Sequence, residues 1–266
     1  MNATTPKPHQ SLLAFFLLAV VLILPFWVFG AMTGLQLAPG LPVAALGAFC
    51  PMLAAIILVY REDKWAGVVA LLKRSVDFKR IKAKRWYAPI LLTMPVVTVL
   101  SFWVLRLMGV SLPAPQIAIV PTLTLCVVFF IAALGEELGW SGYAIDPMQA
   151  RWGVLKASIL LGIIWAVYHY IALVQAHRSV EWIAWWTLFT VAARVIMVWL
   201  FNNTGKSVFA VALFHMTINV TWQLFPLRGS YYDYRVTGLI LAAVTVVVVW
   251  VWGPTFTRQA FDGFID

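Results

Sequence analysis

PTLTLCVVFFIAALGEELGW, residues 121–140, opens with fifteen residues that carry no charge and closes around two adjacent glutamates, Glu136 and Glu137. A run of this length and composition crosses the ~30 Å hydrocarbon core of a bilayer as a helix rising ~1.5 Å per residue. Seven further stretches of the same kind surround it, at about residues 12–31, 41–60, 87–110, 157–174, 182–201, 207–225 and 236–252. The whole chain is 63% hydrophobic and 11% charged, against roughly 45–50% and 25% in soluble domains. It therefore reads as all-α, a polytopic integral membrane protein of about eight transmembrane helices. Residues 1–266 form one transmembrane domain, with a motif-bearing core at about 121–225. Water alone does not solvate such a surface, which excludes a soluble enzyme or binding module.

The first apolar stretch is longer than a secretory h-region and no small-x-small cleavage site follows it, so it reads as a retained span. Breaks at Ala38-Pro39-Gly40-Leu41-Pro42 and Leu112-Pro113-Ala114-Pro115 separate neighbouring spans. The net charge of +9 does not indicate nucleic acid, because nine of the nineteen Lys/Arg fall between Arg61 and Arg85, beside membrane spans. With the N-terminus inside and eight crossings, fourteen Lys/Arg fall inside and three outside (Arg178, Arg228, Arg235), while Arg106 and Arg194 lie within spans. That asymmetry is the positive-inside pattern. It places both termini in the cytoplasm, in a bacterial-type plasma membrane. The inner loop at residues 65–86 alternates apolar and basic residues. It reads equally as an amphipathic helix on the anionic leaflet or as a solvated basic loop. Cys50 and Cys126 lie in apolar runs and indicate neither a disulfide nor redox chemistry.

Ionisable groups inside spans cost roughly 2.5–3.5 kcal/mol each for acids near the helix centre, so the few present require a reason. On a helix Glu136 and Glu137 point about 100° apart, so two roles are expected: one faces a cavity while the other reaches elsewhere. A carboxylate in an apolar, partly wet cavity suits the activation of water. The bland alternative is a pair hydrated by headgroups at a helix end. His169 lies in the fifth span beside Trp165 and Tyr168, where a lone histidine is more often a helix–helix hydrogen-bonding group. His215 and Asn219 are four apart on the seventh span and share one face. Their N–H groups suit a developing oxyanion, each such donor contributing about 10²–10³-fold. The polar site is thus expected between the fourth, fifth and seventh helices.

The ordered set Glu-Glu-Leu-Gly-Trp-x-Gly-Tyr, aromatic-x-x-x-His and His-x-x-x-Asn resembles the CAAX-protease and bacteriocin-processing (CPBP, or Abi) family of intramembrane proteases. The resemblance covers about residues 129–223. It implies a water-activating Glu136 assisted by His169, an oxyanion-binding pair at His215 and Asn219, and Glu137 as a supporting acid. It also implies a peptide or membrane-protein substrate, prenylated in one of the family's substrate classes. That substrate reaches the site from the cytoplasm or laterally from lipid.

One position departs from the family. Its first motif usually reads Glu-Glu-x-x-x-Arg, and Ser141 stands at the Arg position. Glu137 thereby loses the cation expected four residues on, and a buried carboxylate must find another donor. Arg194, in the middle of the sixth span, is expected to point inward within salt-bridge reach of Glu137 and supply that charge. No metal is expected; if zinc is present, Glu136, His169 and His215 are its ligands, although none of them shows the His-x-x-x-His spacing of zinc helices. Two rivals stand beside the protease. One is a non-catalytic relative that binds a peptide or partner, as in bacteriocin immunity, supported by Ser141. The other is a proton-coupled transporter, which requires a gated pathway through the membrane. His9 and His177 read as solvated, Trp140, Trp152 and Trp182 as interfacial or core residues, and Asn202-Asn203-Thr204-Gly205 as a turn.

Overall fold

The computed structural model describes residues 11–38, 41–115, 117–224 and 231–257. Lys7, His9, Pro39, Gly40, Phe225, Arg228 and Arg258, on which parts of the sequence reading rest, lie outside the described residues. Among the described residues the chain is helical apart from connections and one short antiparallel pairing, β1 (Gln36–Ala38) with β2 (Leu41–Pro42). The helices are α1 (Leu12–Thr33), α2 (Cys50–Leu72), α3 (Tyr87–Leu107), α4 (Ile119–Gly139), α5 (Ile145–Trp152), α6 (Val154–Gln175), α7 (Val180–Asn203), α8 (Val208–Leu224) and α9 (Tyr234–Trp252).

Local chemistry sets several of these ends. Ser11 accepts the Ala14 N–H at the start of α1, and Ser179 accepts the Trp182 N–H at the start of α7. Gly34 closes α1 at φ 63°, in the left-handed region that favours glycine. Seven of the helical stretches are long and apolar enough to cross a bilayer. The eighth expected span is the shorter α8, whose 17 residues rise ~26 Å. The all-α polytopic class therefore holds, with seven segments of full spanning length among the described residues. Apolar side chains such as Leu13, Leu17, Leu92, Trp103, Leu123 and Val127 face outward, as a hydrocarbon solvent permits.

α7 is the most buried span and packs between α6 and α9, while α4 packs against α2 and α8. α4 reaches its neighbour through its glycines. A Cβ on Gly139 would meet the Pro51 carbonyl at 2.5 Å, and one on Gly135 would meet the Ala48 carbonyl at 2.9 Å. Small residues thus bracket the glutamate pair and let two backbones close on each other, the usual device of membrane helix packing. α4 does not stop at Trp140. It passes through a π turn, Trp140–Ala144, into α5, so Glu136 stands midway along a helical rod rather than near its inner end.

The basic segment is helical rather than an open loop: α2 kinks at Lys64 (φ 55°, ψ −150°), runs on to Leu72, and is followed by a 3-10 stretch, Lys73–Arg80. Arg74 donates to the carbonyls of Gly142 (2.6 Å) and Lys206 (2.8 Å). Asp77 caps α8, accepting from Ser207 Oγ (2.7 Å) and from the backbone N–H groups of Val208 and Phe209. A carboxylate at a helix N-terminus satisfies orphan donors and the helix dipole together. Replacing Asp77 with alanine should cost about 1 kcal/mol, read as a lowered thermal midpoint of the purified protein in detergent. An unchanged midpoint would show that the cap does not hold α8.

Candidate active site

α4, α6, α7 and α8 each bring part of one polar cluster. Glu136 and Glu137 divide as their helical offset requires. Glu136 faces a cavity of about 470 Å³. Glu137 turns the other way and is fully buried.

Glu137 is held from three sides. Arg194 donates to it through both terminal nitrogens, Nη1 to Oε2 at 2.7 Å and Nη2 to Oε1 at 3.0 Å. Ser141 Oγ donates to Oε2, and His215 Nδ1 lies 3.1 Å from Oε1. Arg194 is itself fully buried, and its guanidinium lies 4.1 Å from the centre of the Trp165 ring. It thus points inward and supplies to Glu137 the charge that Ser141 lacks, from a different helix. The fork geometry and stacking are properties of arginine rather than of any cation.

Two indoles grip Glu136. Trp165 Nε1 donates to Oε2 at 2.6 Å and Trp140 Nε1 at 3.3 Å. Both donors reach the same oxygen, which leaves Oε1 directed toward His215. Each indole belongs to an i, i+4 pair: Trp140 follows Glu136 by four residues, and Trp165 precedes His169 by four. The sequence reading assigned neither of them a role at the carboxylate. The spacing was the available signal, but Trp140 carried equally good alternative readings as a core or interfacial residue.

The two histidines converge on Glu136 from opposite sides, His169 Nε2 at 3.8 Å from Oε2 and His215 Nε2 at 3.9 Å from Oε1. Their other nitrogens fix the protons. His169 Nδ1 lies 2.8 Å from the Trp165 carbonyl, which only accepts, so Nδ1 carries a hydrogen, and in the neutral ring Nε2 is the acceptor. His215 Nδ1 faces the Glu137 carboxylate and likewise donates. Asn219 lines the same cavity one turn beyond His215. The separations of 3.8–3.9 Å exceed a hydrogen bond. Among the described residues no group of three or more His, Cys, Asp and Glu forms a metal-ligand cluster.

From this floor the cavity runs past Tyr168, Ala172 and Ile218 to Arg178, Trp182 and Gln223. That end of the bundle is where α6 and α8 finish and α7 and α9 begin. On the other side of Glu136 the structure is closed by fully or almost fully buried groups: Glu137, Arg194, Trp140, Tyr143 and Phe214. The cavity therefore extends away from the basic segment, and outward-facing Val128 and Ile131 of α4 also line it.

Residues 118–221 match the family described as Rce1-like, type II CAAX prenyl endopeptidase Rce1-like. The chain is also similar to "CAAX prenyl protease 2" of Methanococcus maripaludis, 27% identical over 219 residues, which cover 76% of this chain and 79% of that relative. The matched region contains Glu136, Glu137, His169, Arg194, His215 and Asn219. The recognition of CPBP motifs in the sequence is borne out by both comparisons.

Proposed function

We propose that this chain, a CPBP-family protein by its motifs and its relatives, is an intramembrane endopeptidase in which Glu136 activates the water that cleaves a peptide bond. The observation that carries the reading is the convergence of His169 Nε2 and His215 Nε2 on Glu136, with Asn219 on the same cavity wall. Glu136 Oε1 takes a proton from water and the resulting hydroxide attacks the scissile carbonyl carbon. His169, beside Oε2, accepts at Nε2 in its neutral form, Nδ1–H being bound to the Trp165 carbonyl, and takes up the proton from the carboxyl group. The tetrahedral oxyanion is held by the Asn219 carboxamide N–H and by His215. His215 donates from Nε2 only in its doubly protonated form, with Nδ1–H still on Glu137. Collapse of the intermediate breaks the C–N bond, and the proton returns from Glu136 or His169 to the leaving amine. Glu137, Arg194 and Ser141 are positioning groups that set the His215 ring.

The reaction requires no metal. By the distribution of Lys and Arg, the end bearing Arg61–Arg85 faces the cytoplasm, as do both termini. The substrate is a peptide or membrane-protein segment, and the relative's name makes a prenylated C-terminal peptide one class to test. Ser141 gives the silent-relative reading little support, because Arg194 supplies the cation. The buried layer beneath Glu136 gives none to a through-membrane pathway.

The test compares membrane-proteome neo-termini, with and without a chelator, in cells that carry or lack the chain. Termini that require the chain and persist with chelator are expected. Identical termini in both cells would end the protease reading, and chelator-sensitive termini restored by zinc would replace the water-activating glutamate with a zinc site.

A further inference from the structure

We propose that Arg178 is a substrate-binding residue, which holds a peptide carboxylate about three to four residues away from the bond at Glu136. Which bond is cut rests on the endopeptidase reading; the capture of a carboxylate does not.

The backbone fixes where Arg178 stands. α6 ends in a double closure, with the His177 N–H bonded to the Val174 carbonyl at 2.9 Å and the Arg178 N–H to the Leu173 carbonyl at 3.0 Å. Such an ending needs one residue in the left-handed region, a place that usually falls to glycine. Here His177 occupies it, at φ 56°, although a Cβ disfavours that conformation. The Ala172 carbonyl is also taken, by the Ala176 N–H at 2.9 Å. Backbone groups thus satisfy three carbonyls at the end of α6, and the Arg178 side chain is not consumed in capping the helix.

That side chain is half-buried on the cavity wall, and among the described residues it is the only lysine or arginine there. Its guanidinium lies over the Trp182 ring, 4.7 Å from the centre, and Tyr234 meets Trp182 edge-on at 4.7 Å. An aromatic face holds the guanidinium plane and leaves its N–H edge free. Two carboxylates of the same end are already engaged elsewhere. Asp233 and Glu181 pair with Arg235, at 2.9 and 3.9 Å. Among the described residues Arg178 has neither an ion pair nor a side-chain hydrogen bond. A planar fork of free donors on an otherwise mostly apolar wall suits a carboxylate, which it can bind through two parallel hydrogen bonds.

The distance sets the register. His169, beside Glu136, stands six residues before the last residue of α6, a rise of ~9 Å, and Arg178 follows three residues later. An extended peptide covers ~3.3–3.6 Å per residue, so about three to four residues separate the two points. The carboxylate is the peptide's C-terminus or an Asp or Glu side chain at that spacing.

The experiment reads binding without turnover. Purified Glu136→Gln protein in detergent is incubated with random apolar-rich octapeptides in four forms: free acids, amides, amides bearing one Asp, and amides bearing one Lys. Retained peptides are identified by mass spectrometry. Free acids or Asp-bearing amides should be retained about tenfold over plain amides, and the form retained tells a terminal from a side-chain carboxylate. The preference should vanish when Arg178→Gln is added, survive in part with Arg178→Lys, and pass to the Lys-bearing amides with Arg178→Glu. Equal retention of all forms, retention of none, or a carboxylate preference that survives Arg178→Gln would overturn the proposal. So would a copurifying phospholipid that is lost with Arg178→Gln while peptide retention is unchanged, since the guanidinium would then serve a lipid headgroup. In cells carrying the otherwise wild-type chain, neo-termini about three to four residues from a carboxylate should fall about tenfold with Arg178→Gln. Absence of chain-dependent neo-termini from every cell would end the endopeptidase reading and leave the peptide-retention result standing.

Discussion

Replacing Glu136 with glutamine is expected to abolish the neo-termini that depend on this chain while leaving the folded protein intact. The substitution keeps the side chain's length and its carbonyl oxygen, so the Trp165 indole at 2.6 Å retains an acceptor. It removes the oxygen that takes the proton from water. A positioned general base contributes about 10²–10⁴-fold, so turnover should fall by at least about 10²-fold. The thermal midpoint of Glu136→Gln in detergent should stay close to that of wild type. Retained cleavage at wild-type rates would remove Glu136 from the chemistry, and a collapsed midpoint would make it a structural residue.

Arg194→Met should be the most destabilising single change at the site. It leaves the Glu137 carboxylate fully buried with only Ser141 and His215 as partners. Breaking a buried ion pair from one side costs about 3–5 kcal/mol, because the remaining charge stays desolvated. A purely apolar packing role for Arg194 predicts something different, since methionine fills much of the same volume. The decisive comparison adds Ser141→Arg, which restores a cation four residues after Glu137, on α4 itself. In wild type that change should destabilise, by crowding a second cation onto one carboxylate. In the Arg194→Met background it should recover part of the lost stability. Thermal midpoints of the four proteins give the coupling directly. Additive effects would show that the two positions do not serve the same carboxylate.

Much of the architecture was legible in consecutive residues. Uninterrupted apolar runs located the spans, and the helical offset of Glu136 from Glu137 required them to diverge, as one does into the cavity and the other into the Arg194 fork. The i, i+4 relation of His215 and Asn219 placed them on one face, and both line the cavity. The substitution at Ser141 drew attention to Arg194 because an arginine inside an apolar span is costly without a partner. The basic segment was not legible in the same way. Its alternation of Lys and Arg with apolar residues suits a membrane surface or water, and nothing local announces that Asp77 caps a helix 130 residues later.

The sequence by itself determined that this is a helical membrane protein, and which few polar side chains must find partners inside it. Hydropathy and 3.6-residue periodicity are properties of neighbouring residues, and lipid leaves no other way to satisfy the backbone. Only the tertiary structure decided that Trp165 binds Glu136, that Arg194 reaches Glu137 across 57 positions, and that the cavity points away from the basic end. Those outcomes depend on the depth and rotation of helices relative to one another. In a bilayer these are set by side-chain packing and interhelical hydrogen bonds, such as the close approach of Gly139 to Pro51, and the hydrophobicity of each span does not distinguish among them.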